Sequence, residues 1–288
     1  MASDAWAVGF VLAAHSFMVT KYVNVLGQAT FLHYVGATTL PGVVPDLSRG
    51  RSIAFVHAAG SNGNAWHHQL DALAASHSPV AFDFPGHGRS AGVEGLRSVG
   101  DYADFLAALL DTLRIPSAVI AGRSMGGAIA MDFALRYPQR TQALVLIATA
   151  AKFNLPPELI GGLEAVTKGR APRAFLTTGF SPQTVKANFG VVRESWMEQV
   201  KTDPRVRYTD TLVCQQTDLR DQISRITAPA LILAGADDQT TTVADAEAIK
   251  RQIAGSRLQV IADSAHNLPT EKPKEVNAAL EEFLGRLA

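Results

Sequence analysis

A serine flanked by glycines is the first candidate for covalent chemistry in this sequence. Gly122-Arg123-Ser124-Met125-Gly126 has the pattern G-x-S-x-G, follows the apolar run Ala118–Ala121 and precedes an amphipathic segment. A serine at a tight turn between a strand and a helix presents its hydroxyl above the sheet, and the glycines avoid clashes with neighbouring elements. The helix that starts there adds unpaired N–H groups near a reacting carbonyl. The pattern alone is weak evidence, and a plain helix cap is the alternative, but this context predicts Ser124 as a nucleophile.

A serine hydroxyl is a poor nucleophile at neutral pH, so it needs a base and an acid that orients the base. Both residue types follow later apolar runs: Asp238 comes after Ala230–Ala234, and His266 comes after Leu258–Ile261. Ser124, Asp238 and His266 therefore stand in the chain order Ser, Asp, His, each just after the carboxyl end of a predicted strand. Because these ends share one sheet edge, we expect the three side chains to meet.

The choice of base and acid rests on position in the chain. Of the eight histidines, only His266 lies both after a late strand and downstream of the candidate acid. Asp238 is preferred to its neighbour Asp237, which stays open as the alternative acid. The exit of the sixth predicted strand, Ala148–Ala151, offers no carboxylate, so it does not supply the acid.

Acyl transfer also needs two N–H donors for the oxyanion of the tetrahedral intermediate. One donor is expected to be the backbone of Met125, directly after the nucleophile. The other should come from the turn after the strand Ile53–His57, where residues 58–61 are all small, and we choose Ala59. These contacts use the backbone, so side-chain identity is a poor guide to them.

Alternating strands and helices must place these residues at one edge, and the sequence shows this alternation. Short apolar runs predict eight strands, at Lys21–Val25, Ala29–Val35, Ser52–His57, Val80–Phe84, Ala118–Gly122, Ala143–Ala148, Ala230–Ala234 and Arg257–Ile261. Amphipathic segments predict helices, clearest at Val99–Leu113, Met125–Tyr137, Val243–Ile253 and Lys274–Leu287. The pattern predicts an α/β fold with a mostly parallel eight-stranded sheet flanked by helices.

Residues 152–221 interrupt the alternation and predict a helical cap inserted after the sixth strand. They contain adjacent prolines, adjacent glycines and scattered aromatic residues, but no strong strand. About seventy residues are too many for a plain loop. We expect the cap to lie over the carboxyl edge of the sheet, where ligands of open α/β folds bind. The chain is therefore divided into an N-terminal arm or helix of residues 1–19, a core of residues 20–151 and 222–288, and the cap of residues 152–221.

Charge and cysteine content limit the partners. The 288 residues carry 26 Lys and Arg against 26 Asp and Glu, which argues against a surface for nucleic acid or anionic membranes. The lone cysteine, Cys214, allows no intrachain disulfide and no cysteine-based metal site, and it fits a reducing compartment.

The apolar run Ala5–Ala14 is too short for a membrane span, which needs ~20 residues, and it lacks the cationic leader of a signal peptide. We expect a cytoplasmic protein without an integral membrane span. The N-terminal arm could cover an apolar surface or join two subunits of a homodimer.

Together these motifs resemble the α/β-hydrolase superfamily, with its capped esterases, lactonases, C–C bond hydrolases and cofactor-free perhydrolases as the nearest members. The resemblance runs from about residue 20 to the end. It includes Asp83–Ser90, similar to the turn after the family's fourth strand, and Ser264-Ala265-His266 with Glu271-Lys272-Pro273, similar to its histidine loop and following helix.

The resemblance bears on the site residues as well. In the family the acid commonly lies three residues beyond the glycine that ends the seventh strand, and Gly235 plus three is Asp238. The family also implies Ala59 and Met125 as oxyanion donors. Two positions depart from its pattern. His57-Ala58 stands where His-Gly is usual, and Arg123 stands where His or Asn is more frequent; we expect Arg123 to be structural, paired with a carboxylate, rather than tuning the site.

The resemblance implies acyl chemistry on a small-molecule ester with water, without cofactor or metal, because the dehalogenase and epoxide-hydrolase branches use aspartate as nucleophile. We expect a serine esterase for small to medium, fairly apolar acyl or aryl esters, with lactones as further substrates. Two alternatives stay open. One is a C–C bond hydrolase that holds a carboxylate and dienolate with Arg170, Arg173 and Lys186 of the cap; the other is a non-catalytic small-molecule receptor.

Overall fold

A computed structural model of the protein describes residues 18–287. Its strands, β1 to β8 in chain order, are Met18–Val25, Gln28–Val35, Ser52–Val56, Ser78–Phe82, Ala118–Arg123, Thr141–Ile147, Ala230–Gly235 and Arg257–Ile261. They form one sheet in the order β1-β2-β4-β3-β5-β6-β7-β8. Only β2 runs antiparallel to its neighbours, and the other pairs in the described chain are parallel. The predicted mostly parallel, eight-stranded α/β sheet is confirmed.

The helices, α1 to α10 in chain order, are His67–Leu73, Val99–Thr112, Met125–Arg136, Pro157–Thr167, Pro182–Ala187, Phe189–Gln199, Pro204–Gln216, Val243–Gln252, Leu268–Glu271 and Pro273–Gly285. Short 3₁₀ turns occur at Gly63–Trp66, Pro138–Arg140 and Ile223–Arg225. Between residues 18 and 287, no helix has the length and apolar character needed to cross a membrane. The predicted N-terminal arm of residues 1–19 lies outside the described residues, except for Met18 and Val19 in β1.

Both faces of the sheet are buried at its central strands, β3 to β7, which explains why these strands are apolar nearly throughout. Successive side chains of a strand point to opposite faces. In β3, Ala54 and Val56 pack on the side of α2, α3 and α8, whereas Ile53 and Phe55 pack on the side of α1 and α10. The sheet is therefore the middle layer of three, and its carboxyl edge is the place where loops from several strands meet.

Helices α4 to α7, called the inserted helices below, lie between β6 and β7. The chain leaves the core and returns to it at one point: Leu219 N–H donates to the Ala151 carbonyl at 2.8 Å, and Lys152 pairs with Asp218. The predicted helical insertion after the sixth strand is confirmed. The division of the chain into core and cap at residues 152 and 221 stays a prediction.

Glycines let α3 begin directly against the end of β3. A Cβ atom on Gly126 would overlap the carbonyl oxygen of Val56, and a Cβ on Gly122 would overlap the carbonyl oxygen of Gly126. Backbone therefore packs on backbone at the turn that follows β5. This contact brings the first turn of α3 next to the loop after β3, where the oxyanion donor Ala59 was predicted.

Replacing Gly126 should break this contact. We expect Gly126→Ala to reduce the free energy of unfolding by about 1–3 kcal/mol, because a backbone oxygen cannot move aside easily. The matched control is Gly162→Ala in α4, where a new Cβ meets no atom within 4 Å. There alanine should raise stability by about 0.5–1 kcal/mol through better helix propensity. Urea unfolding followed by circular dichroism measures both, and equal effects would contradict the packing argument.

Candidate active site

Ser124 occupies the turn between β5 and α3 with φ 54° and ψ −121°, a backbone conformation that L-residues rarely adopt. Hydrogen bonds on both sides hold it there. Its N–H donates to the Ile147 carbonyl at 3.0 Å, and its own carbonyl accepts from Gly127 N–H at 2.8 Å and from Thr149 Oγ1 at 2.7 Å. The side chain is buried except towards a cavity, and Ser124 Oγ lies 3.0 Å from His266 Nε2.

His266 joins the serine to the predicted acid. It lies in the loop between β8 and α9, and its Nδ1 is 2.8 Å from Asp238 Oδ2, which follows β7. Because Nδ1 faces a carboxylate, it is assigned the ring proton, and Nε2 is left free to accept the proton of Ser124. The structure therefore brings the three residues predicted from the sequence into one hydrogen-bonded chain.

The carboxylate of Asp238 is buried and fully hydrogen-bonded. Its Oδ1 accepts from the N–H groups of Thr240 and Thr241 at 2.7 and 3.1 Å, and its Oδ2 accepts from Thr241 Oγ1 at 2.8 Å. Burial alone would raise the pKa of Asp238, but the hydrogen bond and charge of His266 and the bonds from Thr241 outweigh it and lower that pKa. Within the described chain, the neighbouring Asp237 carboxylate has no such partner. The geometry favours Asp238 as the acid.

The two predicted oxyanion donors lie on either side of the contact between β3 and α3. Met125 is the first residue of α3, so its N–H has no partner within the helix. Ala59 N–H donates to no group among residues 18–287 either, whereas Gly60 N–H, next in the chain, donates to Asp210 Oδ2 at 2.8 Å. Both N–H groups are thus available to a substrate oxygen.

The Asp210 contact is part of a buried network that the sequence did not indicate. Asp210 lies on α7, one of the inserted helices, and its side chain is 0% exposed. Besides Gly60 N–H, it accepts from Tyr102 Oη at 2.5 Å and from His87 Nε2 at 2.7 Å. A carboxylate from the insertion therefore fixes the loop that carries Ala59. No local signal reveals this role, because the partners are more than 100 residues away from Asp210 along the chain.

His87 is the positively charged partner in this network. Its Nδ1 contacts the Pro85 carbonyl at 3.0 Å while its Nε2 contacts Asp210, so both ring nitrogens donate. Burial would lower the pKa of His87, but the charge and hydrogen bond of Asp210 outweigh it and raise the pKa. Burial would likewise raise the pKa of Asp210, but the charge and hydrogen bond of His87 outweigh it and keep the pKa of Asp210 below its usual value. The neighbouring His57 stays neutral, because burial and then the charge of His87 lower its pKa to about 3.

A cavity of about 200 Å³ opens beside Ser124 and His266. Apolar side chains of the insertion form one wall: Phe153, Leu155, Leu159, Leu163, Leu176 and Phe180. Two arginines, Arg123 and Arg207, also line the cavity. The three cap cations considered in the sequence, Arg170, Arg173 and Lys186, do not line it.

Arg123 links the nucleophile turn to the histidine loop. Its Nη1 donates to Asn267 Oδ1 at 2.5 Å, and Asn267 in turn donates through its side chain and its backbone to the Gly179 carbonyl. The expected carboxylate partner is absent among residues 18–287, because the partner is an amide. Burial lowers the pKa of Arg123 to about 10, opposed by the charges of Asp238 and Glu271, so the guanidinium remains charged at neutral pH.

The chain is similar in sequence and in fold to known hydrolases. A sequence model of the alpha/beta hydrolase family matches residues 53–279. A 3-oxoadipate enol-lactonase of Acinetobacter baylyi is 28% identical over 238 residues, which cover 82% of this chain and 89% of that protein. The structure of a hydrolase from Pseudomonas aeruginosa has a TM-score of 0.78 at 26% identity, covering 92% of this chain and 98% of that chain. The structure of an N-acyl homoserine lactone degrading enzyme has a TM-score of 0.75 at 26% identity, covering 91% of this chain and 100% of that chain.

Removing the carboxylate of Asp210 should strongly destabilise the protein. We expect Asp210→Asn to lower the free energy of unfolding by about 3–5 kcal/mol, because the buried ion pair with His87 is broken and the hydrogen bonds of Gly60 N–H, Tyr102 and His87 lose their charged acceptor. The control is Asp221→Asn, an exposed position where a change within about 0.5 kcal/mol is expected. Urea unfolding at neutral pH measures both variants.

The pH dependence of this destabilisation has a definite sign. In the wild type the raised pKa of His87 contributes stability that is complete below the ordinary value of 6.5 and is lost as pH rises through the folded-state pKa. In Asp210→Asn, burial is the largest remaining influence on the pKa of His87 and lowers it against the Pro85 carbonyl and Asp83, so the variant gains stability as pH rises towards 6.5. The difference between wild type and variant should shrink with rising pH, and a constant difference would contradict an ionised pair.

Proposed function

Because the chain belongs to the alpha/beta hydrolase family, we propose that it is a serine hydrolase that cleaves carboxylic esters, including lactones, through an acyl-enzyme. The observation that carries the proposal is the chain of hydrogen bonds from Ser124 through His266 to Asp238, at 3.0 and 2.8 Å, beside an apolar cavity. A serine with a base at this distance can be activated for attack on a carbonyl carbon.

Acylation starts when His266 Nε2 takes the proton of Ser124 Oγ as that oxygen bonds to the carbonyl carbon. The carbonyl electron pair moves onto its oxygen, and the N–H groups of Ala59 and Met125 stabilise the resulting oxyanion. When the intermediate collapses, the alkoxide leaves with the proton from His266. The acyl group is then bound to Ser124.

Deacylation repeats these steps with water. His266 removes a proton from water, the hydroxide attacks the acyl carbon, and the serine oxygen leaves with the proton that His266 returns. Asp238 orients the ring and stabilises the imidazolium that forms in each half-reaction. Its lowered pKa keeps it ionised at neutral pH, as this role requires.

Both the cavity and the relatives support esters and lactones as substrates. The apolar wall from the insertion suits a fairly apolar acyl or aryl group. A related sequence is an enol-lactonase, and a related structure degrades N-acyl homoserine lactones. In a lactone the leaving alkoxide stays tethered to the acyl group, and the same residues serve both bonds. The C–C hydrolase alternative loses its proposed anchors, because Arg170, Arg173 and Lys186 lie outside the cavity lining.

The test of the proposal compares hydrolysis of 4-nitrophenyl butyrate by the wild type and by the variant Ser124→Ala, which lacks the proposed nucleophile. The wild type should release 4-nitrophenolate, and Ser124→Ala should lower kcat by about 10⁵–10⁶-fold with an unchanged circular dichroism spectrum. The control is Ser256→Ala, at the amino end of β8 and thus the opposite edge of the sheet from His266. A wild-type protein that binds esters and lactones without turning them over would contradict hydrolysis and favour a receptor.

A second prediction separates the two adjacent aspartates. Asp238→Asn should lower kcat by about 10⁴-fold, because the amide no longer holds the proton on His266 Nδ1 and no longer stabilises the imidazolium. Asp237→Asn is the matched control and should stay within about tenfold of the wild type, because its side chain does not contact the histidine. The opposite ranking in steady-state kinetics would move the acid to Asp237.

A further inference from the structure

Arg207 is a charged side chain at the candidate active site without a partner among residues 18–287. It lies on α7, and its guanidinium forms neither a hydrogen bond nor an ion pair there, although burial, and after it the charge of Arg173, lowers its pKa. Its aliphatic stem packs on Gly60, where a Cβ atom in place of the glycine hydrogen would lie 2.6 Å from Arg207 Cγ. The side chain therefore lies against the loop that carries Ala59, and it lines the cavity beside Ser124.

The fixed charge of this cavity is positive. Its lining contains Arg123 and Arg207 but, within the described chain, no Asp or Glu side chain. Neither of the two buried carboxylates of this region balances Arg207, because Asp210 is paired with the His87 imidazolium and the charge of Asp238 acts on Arg123. A partly buried cation without a counter-ion is unfavourable, and an anion that enters the cavity would offset that cost.

The charge of Arg207 could also be balanced by solvent or by an acidic residue outside the cavity. Arg207 borders a second groove, whose lining includes Glu158, but no ion pair joins these two residues in the described chain. Arg173, which also lines that groove, donates to the carbonyls of Gln199 and Thr202, so its positive charge is not neutralised either. The second groove therefore does not supply the missing counter-ion.

We propose that the natural substrate is an ester or lactone that carries a free carboxylate, which Arg207 binds while its acyl carbonyl reaches Ser124. The two parallel N–H groups of a guanidinium match the two oxygens of a carboxylate. Leu159, Leu163 and Leu176 line the same cavity, so they can contact an apolar carbon chain that joins the carboxylate to the reacting carbonyl. This inference rests on the proposed esterase or lactonase function and names its substrate class.

The test compares two substrates with the same skeleton and different charge, mono-4-nitrophenyl glutarate and its methyl ester. The wild type should favour the free carboxylate in kcat/KM by about 10–100-fold, the range expected for a charge-assisted hydrogen-bonded pair. Arg207→Gln should bring this ratio close to one, mainly through a higher KM for the charged substrate. The control is Arg205→Gln on the same helix, an exposed residue paired with Asp203, and it should keep the wild-type ratio.

The outcomes separate this inference from the function on which it rests. Hydrolysis of both substrates with equal kcat/KM, or a preference that Arg207→Gln leaves unchanged, would overturn the carboxylate site while the esterase function stands. If neither substrate is hydrolysed, the proposed function fails, and calorimetric titration with glutarate then tests the site alone. Binding to the wild type that is lost in Arg207→Gln would support the site, and no binding to the wild type would overturn it.

Discussion

The strained turn at Ser124 is the constraint on which the rest of the site depends. A φ of 54° at a residue with a side chain persists only where the surroundings hold it in place. Here β6 binds the serine from one side through Ile147, and Thr149 and the first turn of α3 bind its carbonyl. The glycines next to it allow α3 to pack on the end of β3. One turn therefore positions Ser124 and brings Met125, at the start of α3, next to the loop of Ala59; these are the two proposed oxyanion donors.

The inserted helices take part in the architecture of the site as well as in its covering. Asp210 on α7 holds Gly60 N–H and the His87 ring, so the loop with Ala59 is positioned only while α7 is docked on the core. Arg207 lies three residues earlier on the same helix and packs on Gly60. The single helix α7 thus contacts the loop that carries Ala59 and also supplies the proposed carboxylate site. We therefore expect substrate binding to be coupled to the position of the proposed N–H donors.

Local patterns were sufficient to predict the sheet and the helical insertion. Ser124 has a motif with its strand and helix, whereas the family resemblance, through the spacing from Gly235, was needed to support Asp238 over Asp237; the structure places Asp238 2.8 Å from His266. The network of Asp210, His87 and Gly60 has no such signal, since it joins segments that are 123 and 150 residues apart. Polar residues on an amphipathic helix look alike in sequence, and only packing decides which of them are buried.

Electrostatics connects these features to turnover. Asp210 is paired with the His87 imidazolium, so the positive charge of Arg207 acts on whatever enters the cavity. That field favours the oxyanion of the transition state as well as an anionic substrate. In the proposed reaction, hydrolysis of the ester creates a second carboxylate from the acyl carbonyl, next to the N–H groups of Ala59 and Met125. At the proposed carboxylate site, the attraction that favours substrate binding also holds the acid product, so we expect product release to be slowed.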